Sequence, residues 1–257
     1  MHDIQGSRVL ITGAAVRLGR ELALAFARAG ARIIVHYNRN AAAAAELLEA
    51  LERFGPGHVC LQADLRSAGD LLRLAEAAFR GPAPATGLIN NASVYRRTRL
   101  RDSTPQRLLE DFTINFFAPF ELMRLFARYG ERGWIINVLD QRVAGADPGA
   151  GGYALAKKAL RDATEAAAIE WGPLIRVNAV APGFVLPPPG VAPGRMEPLV
   201  QKTPLRRPAA LDDLAGACLY LARAETVTGH VLFVDAGAHL PRPGVEERSP
   251  RPAPENP

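Results

Sequence analysis

Residues 8–30 read RVLITGAAVRLGRELALAFARAG, an apolar run that passes through a turn of small residues into an alanine-rich segment. The pattern predicts a strand, a tight turn and a helix, which together form the first unit of a sheet whose strands alternate with helices. In such a turn the backbone can approach a pyrophosphate, and the helix N-terminus stabilises its charge. The turn therefore predicts a dinucleotide site, although Arg17 stands where the G-x-G-x-x-G pattern has its middle glycine.

The same alternation continues to about residue 240. Apolar runs predict strands at Val9–Ile11, Ile33–Val35, Val59–Leu61, Leu88–Ile89, Trp134–Val138, Ile175–Val180 and Val231–Val234. Helices are expected near residues 18–29, 41–54, 67–79, 104–129, 153–171 and 211–223. We therefore expect one doubly wound α/β domain over residues 1–240, with a central parallel sheet of about seven strands. Proline-rich residues 182–208 predict a loop that serves as a substrate lid, and residues 241–257 predict a flexible tail.

Composition excludes several classes of protein. Of 257 residues, 48% are hydrophobic and 22% are charged, which is typical of a globular domain and not of a disordered chain. No run approaches the about 20 apolar residues of a membrane span, and no secretory signal is evident, so we expect a cytoplasmic protein with two reduced cysteines. The net charge of +5 comes from scattered arginines, so neither nucleic-acid binding nor membrane binding is expected, and no metal site is predicted.

The end of the second predicted strand indicates which nicotinamide cofactor is used. Residues 36–40 read HYNRN, and no acidic side chain follows before Glu46. An acid at this point usually accepts the ribose hydroxyls of NAD, whereas arginine and amide donors suit the 2′-phosphate of NADP. We therefore predict NADPH with Arg39 as the phosphate ligand, the alternative being a solvated surface arginine.

Tyr153 and Lys157 lie four residues apart, on one face of a predicted helix. The pKa of a free tyrosine is about 10. The Lys157 cation is expected to favour the phenolate, which would make Tyr153 a proton donor near neutral pH. The Tyr-x-x-x-Lys pattern is common by chance, but within a dinucleotide-binding domain it predicts a catalytic pair.

With these motifs in this order, the chain resembles the short-chain dehydrogenases/reductases over residues 5–240. The matching pieces are TGAAVRLG at 12–19, ADL at 63–65, NNA at 90–92, Asn115, Tyr153 with Lys157, and Pro182 with Gly183. The resemblance implies that Asp64 lies beside the adenine and that Asn91 and Ala92 line the cofactor. It also implies a water-linked proton relay from Asn115 to Lys157, and a homotetramer. The alternative roles are structural: a helix cap for Asp64, a turn for Asn91 and a helical polar residue for Asn115.

One position departs from the usual family pattern. Most members carry a serine about 13 residues before the tyrosine, where its hydroxyl binds the substrate carbonyl, and here that position is Asp140. A carboxylate would repel the oxyanion that forms during ketone reduction, but it would stabilise a protonated C=N group. The alternatives are that Asp140 is neutral or that it is a structural loop residue.

Asp140, Arg17 and the HYNR strand end together resemble the pteridine reductases and dihydromonapterin reductases. This resemblance implies that Tyr95 stacks a pterin against the nicotinamide, the alternative being a half-buried loop aromatic. It also implies that Ser93 and Arg17 contact the cofactor phosphates and the polar edge of the pterin. Leu186 replaces a threonine of many relatives, which leaves the backbone of Val185 to contact the carboxamide.

The predicted site therefore has three parts. The cofactor-binding residues are Gly13, Arg17, Leu18, Gly19, His36, Tyr37, Arg39, Asn40, Asp64, Leu65, Asn91, Ala92, Lys157, Pro182, Gly183 and Val185. The catalytic residues are Asp140, Tyr153, Lys157 and Asn115. The substrate-binding residues are Arg17, Ser93, Tyr95, Asp140 and Tyr153.

The function that this set predicts is NADPH-dependent reduction of a 7,8-dihydropterin to its tetrahydro form. The sequence does not distinguish among dihydromonapterin, dihydrobiopterin and dihydrofolate as the substrate. The hydride would reach C6 of the pterin and a proton would reach N5. The alternatives are an NADPH-dependent carbonyl reductase, with a 3-oxoacyl compound or another ketone as substrate, and a non-catalytic NADPH-sensing protein.

Cofactor choice can be tested at Arg39. We expect NADPH to bind at least about tenfold more tightly than NADH, and Arg39→Ala to raise the Kd for NADPH alone, because only NADPH carries the 2′-phosphate. Titration of both cofactors into both proteins measures the effect. Equal binding curves for NADPH and NADH on the wild-type protein would contradict the prediction.

Overall fold

The computed structural model describes residues 4–187 and 193–241. In this part of the chain, seven parallel strands form one sheet in the order β3-β2-β1-β4-β5-β6-β7. The strands are β1 (Arg8–Ile11), β2 (Arg32–Tyr37), β3 (Val59–Gln62), β4 (Gly87–Asn90), β5 (Gly133–Val138), β6 (Ile175–Pro182) and β7 (Val231–Val234). The predicted doubly wound α/β domain with a central parallel sheet is confirmed.

Helices connect the strands and cover both faces of the sheet. They are α1 (Arg17–Arg28), α2 (Ala41–Glu52), α3 (Ala68–Phe79), α4 (Pro105–Phe112), α5 (Ala118–Tyr129), α6 (Gly151–Trp171), α7 (Glu197–Val200) and α8 (Leu211–Arg223). One π-helical turn, Thr113–Phe117, joins α4 to α5. Short 3₁₀ turns lie at Leu100–Asp102, Gln141–Val143 and Pro193–Arg195.

Alternation along each strand sends neighbouring side chains into two separate apolar layers. Val9 and Ile11 pack with α1, α2 and α8 on one face, while Leu10 packs with α3, α5 and α6 on the other. All three side chains are fully buried. Because strands covered on both faces must be apolar throughout, the short uninterrupted apolar runs of the sequence located them correctly.

Strand order reverses beside β1, and this reversal positions the site. The chain moves from β1 outward to β2 and β3, then returns to β4 on the other side of β1. The helices that follow β1 and β4 therefore diverge, which leaves a crevice at the carboxyl ends of the strands where open α/β sheets bind their ligands.

Buried polar side chains tie α6 to the centre of the sheet. The Asn90 amide donates to Asn137 Oδ1 over 2.9 Å, and the Asn137 amide donates to Thr164 Oγ1 over 2.9 Å. Thr164 in turn donates to the Leu160 carbonyl within α6. Since buried polar groups are costly unless paired, this chain fixes the position of the helix that carries Tyr153.

The proline-rich segments differ in part from the sequence prediction. Residues 182–208 are not wholly irregular, because β6 continues to Pro182 and α7 forms within the segment. Residues 188–192 of the predicted lid and residues 242–257 of the predicted tail lie outside the described residues. Cys60 and Cys218 are free thiols. Within residues 4–187 and 193–241, every helix is too short or too polar to span a membrane.

Two glycines provide a test of core packing. A Cβ on Gly87 would lie 2.3 Å from the ring of buried Trp134, whereas a Cβ on Gly216, exposed in α8, would meet nothing within 4 Å. We expect Gly87→Ala to lower the free energy of unfolding by about 1–3 kcal/mol through overpacking. Gly216→Ala is the matched control, and it is expected to raise stability by about 0.5–1 kcal/mol.

Chemical denaturation of both variants measures these changes. A Gly87→Ala protein as stable as the wild type would show that Trp134 moves without cost, which would contradict the packing described for this face of the sheet.

Candidate active site

Two adjoining cavities form a long cleft over the carboxyl ends of β1, β2, β4 and β5. One has a volume of about 440 Å³ and the other of about 750 Å³. Gly13, Val16, Asn38, Val94 and Ile114 line both cavities. The cleft therefore has room for an extended ligand that crosses the turn after β1.

The turn between β1 and α1 is shaped to admit a ligand closely. Gly13 has a φ of +63°, and a Cβ on Gly19 would lie 2.2 Å from the Gly13 carbonyl oxygen, so both positions require glycine. Arg17 has a φ of +55° at the place where the sequence pattern has its middle glycine. That conformation costs a non-glycine residue about 1–2 kcal/mol. The backbone thus keeps the form of a phosphate-binding turn although the sequence departs from the pattern.

His36 supports this turn from beneath. The Gly13 N–H donates to His36 Nδ1 over 3.0 Å, so the other ring nitrogen carries the proton and donates to the Ala63 carbonyl over 3.1 Å. Burial lowers the pKa of His36, which keeps the ring neutral. His36 was predicted to bind the cofactor, and its described contacts are those of a residue that holds the turn in place.

Asn91 also holds the turn. Its side-chain amide donates to the Thr12 carbonyl over 2.9 Å, and the Thr12 hydroxyl oxygen accepts the backbone N–H groups of Asn91 and Ala92. These contacts connect the end of β4 to the turn after β1. Ala92 and Asn91 line the 440 Å³ cavity, as do Leu18, Leu65, Pro182 and Gly183. Val185 is half-buried beyond Gly183 and is not among the residues that line this cavity.

The 750 Å³ cavity is rich in guanidinium groups. Arg39, Arg66 and Arg96 line it, together with Tyr37 and Asn40. Asn40 Oδ1 accepts the Ala43 N–H and so caps α2. Three cations at one end of a dinucleotide-sized cleft suit a ligand with an additional phosphate. Sequence reasoning found Arg39 but missed Arg66 and Arg96, because neither lies near the end of β2 in the sequence.

Asp64 is hydrogen-bonded to Arg66, and its predicted position beside the adenine stays a prediction. Its carboxylate accepts two hydrogen bonds from Arg66, over 2.9 Å from Nε and 2.7 Å from Nη2. The hydrogen bonds from Arg66 lower the pKa of Asp64. The carboxylate therefore orients Arg66 in the cavity, while Ser67, not Asp64, caps α3.

Arg17 reaches across the mouth of the cleft. Its Nη2 donates to the Pro187 carbonyl over 2.9 Å, which connects the turn after β1 to the beginning of the proline-rich segment. Its predicted contacts with the cofactor phosphates and the pterin stay predictions.

Tyr153 and Asp140 are hydrogen-bonded at the other end of the cleft. The Tyr153 hydroxyl donates to Asp140 Oδ2 over 3.0 Å. Lys157 is fully buried, and its Nζ donates to the Val138 carbonyl over 2.7 Å and lies 6.0 Å from the centre of the Tyr153 ring. Burial lowers the pKa of Lys157 to about 8.

The expected effect of Lys157 on Tyr153 is wrong for this arrangement. Burial raises the pKa of Tyr153 well above its usual value, and the adjacent Asp140 carboxylate raises it further. The physical reason is that the hydroxyl faces a carboxylate, whereas the ammonium group of Lys157 faces a backbone carbonyl. The Tyr153 hydroxyl therefore keeps its proton, and its catalytic role stays a prediction.

Asn115 fixes the loop that follows β4. It lies in the π-helical turn, a type of bulge that often marks functional sites. Its Oδ1 accepts the Ser93 hydroxyl over 2.8 Å, and its Nδ2 donates to the carbonyls of Val94 and Asp111. Asn115 thus positions Ser93, and its relay to Lys157 stays a prediction.

Tyr95 lies next to Tyr153. Its ring meets the Tyr153 ring edge to face, with centroids 4.9 Å apart and planes at 72°. The Arg142 guanidinium lies over the Tyr95 ring, 5.2 Å from its centroid, and Tyr95 remains 40% exposed. Ser93 and Val94 of the same loop line the 440 Å³ cavity, whereas Tyr95 is not among its lining residues, so its predicted stacking on a pterin stays a prediction.

Comparisons with known proteins agree with this geometry. The family model described as enoyl-(acyl carrier protein) reductase matches residues 13–239. Carbonyl reductase [NADPH] 2 from Sus scrofa is 31% identical over 246 residues, covering 91% of this chain and 97% of that protein.

Two solved structures share the whole fold. FolM alternative dihydrofolate reductase 1 from Brucella canis, complexed with NADP, has a TM-score of 0.87 and 28% identity, covering 96% of this chain and 100% of that chain. The corresponding protein from Brucella suis, in complex with NADP, has a TM-score of 0.88 and 29% identity, covering 95% and 99%. The arginine-lined cavity and these complexes identify the cofactor as NADPH. The chain belongs to the short-chain dehydrogenase/reductase family and is an oxidoreductase.

Proposed function

We propose that this enzyme reduces the C=N bond of a 7,8-dihydropterin with NADPH. The observation that carries the proposal is the Asp140 carboxylate, which accepts the Tyr153 hydroxyl over 3.0 Å at the substrate end of the cleft. A group that accepts hydrogen bonds stands where carbonyl reduction needs a donor. The FolM structures, named as alternative dihydrofolate reductases, support the same class of substrate.

The negative charge of Asp140 favours reduction of a C=N bond over reduction of a C=O bond. Hydride addition to a ketone places negative charge on oxygen, and an adjacent carboxylate destabilises it because like charges repel strongly in a partly desolvated site. A protonated C=N group carries positive charge before the hydride arrives, so the same carboxylate stabilises it. Asp140 is mostly buried, with 16% of its side chain exposed, which limits screening by water.

Separate groups of residues in the cleft would bind NADPH and hold the proton. Gly13 and Gly19 leave space for the pyrophosphate of NADPH, and Arg39 with Arg66 would hold its 2′-phosphate. When bound, NADPH supplies the hydride. Tyr153 holds a proton on its hydroxyl oxygen, and the hydrogen bond that it donates to Asp140 fixes the position of that oxygen. The proton would pass to the substrate N5 when the hydroxyl turns from Asp140 to the substrate.

The pterin ring would lie against Tyr95. Stacking on an aromatic ring favours flat heterocycles over aliphatic ketones, and Ser93 on the same loop offers a hydroxyl to the polar edge. A neighbouring cavity of about 410 Å³ is lined by Gln141, Phe184 and Lys202 among others. Gln141 and Phe184 directly follow Asp140 and Gly183, which line the 440 Å³ cavity. The neighbouring cavity would receive the substituent at C6 of the pterin.

Carbonyl reduction is the second candidate, because the relatives include carbonyl reductase [NADPH] 2. It would require Asp140 to be protonated or turned away from the substrate. Arg142 opposes the second condition, since its Nη1 lies 3.0 Å from Asp140 Oδ2 and holds the carboxylate in its present orientation. A homotetramer, which the family resemblance implies, stays part of this proposal.

The proton carrier can be tested with Tyr153→Phe. The ring still packs against Tyr95, but the hydroxyl is lost, so kcat for a dihydropterin should fall by about 10²- to 10⁴-fold, the usual worth of general acid catalysis. The Kd for NADPH should be nearly unchanged. Steady-state kinetics and cofactor titration measure both, and a variant that retains most of its turnover would show that another group supplies the proton.

Substrate class can be tested with Asp140→Ser. The variant loses the carboxylate and gains the hydroxyl that carbonyl reduction uses, so kcat/KM for a dihydropterin should fall by on the order of 10² while any ketone activity holds or rises. The ratio of pterin to ketone kcat/KM is the quantity to measure, because it cancels damage to folding or cofactor binding.

Asp162→Ser provides the control for that experiment. Asp162 is exposed on α6 and pairs with Arg161, away from the cleft. Its replacement should leave the ratio as it is. If Asp140→Ser also leaves the ratio unchanged, Asp140 does not discriminate between substrates and the pterin proposal loses its physical support.

A further inference from the structure

Arg142 forms the densest set of contacts near the catalytic pair, and neither the family motifs nor the sequence analysis assigned it a role. Its Nη1 donates to both Asp140 oxygens, over 3.1 Å to Oδ1 and 3.0 Å to Oδ2, and its backbone N–H donates to Asp140 Oδ1 over 2.9 Å. Its Nε donates to Asp147 Oδ2 over 2.7 Å.

These contacts connect the separate segments that build the substrate end of the cleft. Asp140 follows β5, and Asp147 precedes α6 and accepts the Gly149 N–H over 2.9 Å through its other oxygen. The Arg142 guanidinium also lies over the ring of Tyr95, which comes from the loop after β4. One side chain thus holds together the end of β5, the beginning of α6 and the loop after β4.

We propose that Arg142 is a positioning residue that keeps Asp140 ionised and aimed at the Tyr153 hydroxyl, so that Tyr153 and not Asp140 carries the transferable proton. Without a cation at this place, a carboxylate beside a buried phenol is poorly solvated and tends to take up a proton itself. The protonated carboxyl would then lose the charge that selects a C=N substrate. The kinetic part of this proposal rests on the proposed pterin reduction.

The charges around Asp140 are consistent with this role. Arg142 faces it from its own turn, and Tyr153 and Lys157 face it from α6. Asp147 and Tyr95 act on it through Arg142. Lys157 directs its ammonium group to the Val138 carbonyl, so among the described residues Arg142 is the cation in hydrogen-bond contact with the carboxylate. Burial acts to lower the pKa of Arg142, but the carboxylates of Asp140 and Asp147 outweigh it and raise that pKa, so the cation persists.

The test removes the cation and measures the ionisation of Asp140 directly. In protein labelled with ¹³C-aspartate, the Asp140 carboxyl resonance is assigned by its loss in Asp140→Asn. In Arg142→Met we expect the carboxyl to titrate at least about one pH unit higher than in the wild type, because an opposite charge in contact favours the ionised form. Arg142→Lys should restore most of this change, since it keeps the charge.

Asp147→Asn is the matched control. It removes one partner of the guanidinium but leaves the charge of Arg142 and its contact with Asp140, so the Asp140 titration should stay at its wild-type position. Arg142→Gln is the second neutral variant should Arg142→Met fail to fold, and circular dichroism checks the fold of each variant.

Kinetics supply the second measurement. Activity that needs the Asp140 carboxylate is lost as pH falls, so in Arg142→Met the acidic limb of the kcat/KM profile for a dihydropterin should move to higher pH in parallel with the resonance. The Kd for NADPH should not change, because Arg142 lines neither of the two adjoining cavities assigned to the cofactor.

The outcomes separate this proposal from the proposed function. An Asp140 titration that is the same in Arg142→Met and the wild type would overturn the role of Arg142, whatever the substrate. An equal shift in Asp147→Asn would also overturn it, because general loosening would then explain the change. If the resonance shifts as expected but no dihydropterin is reduced, the role of Arg142 stands and the pterin assignment fails.

Discussion

The pairing of the Asp140 carboxylate is the interaction on which the structure around Tyr153 and Tyr95 depends. An ionised carboxylate that is mostly removed from water is tolerated only when charge and hydrogen bonds compensate it. Here Arg142 supplies the charge, and the Tyr153 hydroxyl and a backbone N–H supply further donors. The position of each donor depends on a particular segment of the chain. The short turn after β5 places the backbone N–H, Asp147 holds the Arg142 guanidinium, and Thr164 ties α6, which carries Tyr153, to the sheet. The fold therefore places the Asp140 carboxylate, together with its three hydrogen-bond donors, at the carboxyl ends of the strands.

Much of this fold could be predicted from the sequence, because strands covered on both faces must be apolar along their whole length. The runs around Val9, Ile33 and Ile135 located their strands within a residue or two. The turn after β1 was also predictable, since Gly13 and Gly19 occupy places where a side chain would collide or be strained. The exception at Arg17 is instructive: the backbone adopts the glycine conformation without the glycine.

The remaining features depend on segments that meet only in the folded protein. Arg66 and Arg96 join Arg39 in one cavity although they follow different strands, so no spacing rule groups them. The expected lowering of the Tyr153 pKa by Lys157 is wrong for the same reason. The Tyr-x-x-x-Lys spacing places Lys157 nearby, but it does not reveal that the ammonium group faces Val138 while the hydroxyl faces a carboxylate. Spacing within one helix predicts proximity, whereas pKa depends on the partners that other elements supply.

The replacement of the family serine by aspartate cannot be understood as a single change. A carboxylate introduced alone would lie beside a buried phenol and beside Lys157, whose ammonium group donates to a backbone carbonyl. Because burial disfavours the charged form, such a carboxylate would tend to take up a proton. With Arg142 two residues later, the anion is kept and its orientation is fixed. The same guanidinium reaches Tyr95, so the residue that preserves the charge also places the ring on which a flat substrate would stack. In the proposed reaction, selection of a C=N bond over a carbonyl would thus use the Asp140 anion, the Arg142 cation and the Tyr95 ring, and the turn after β5 connects all three.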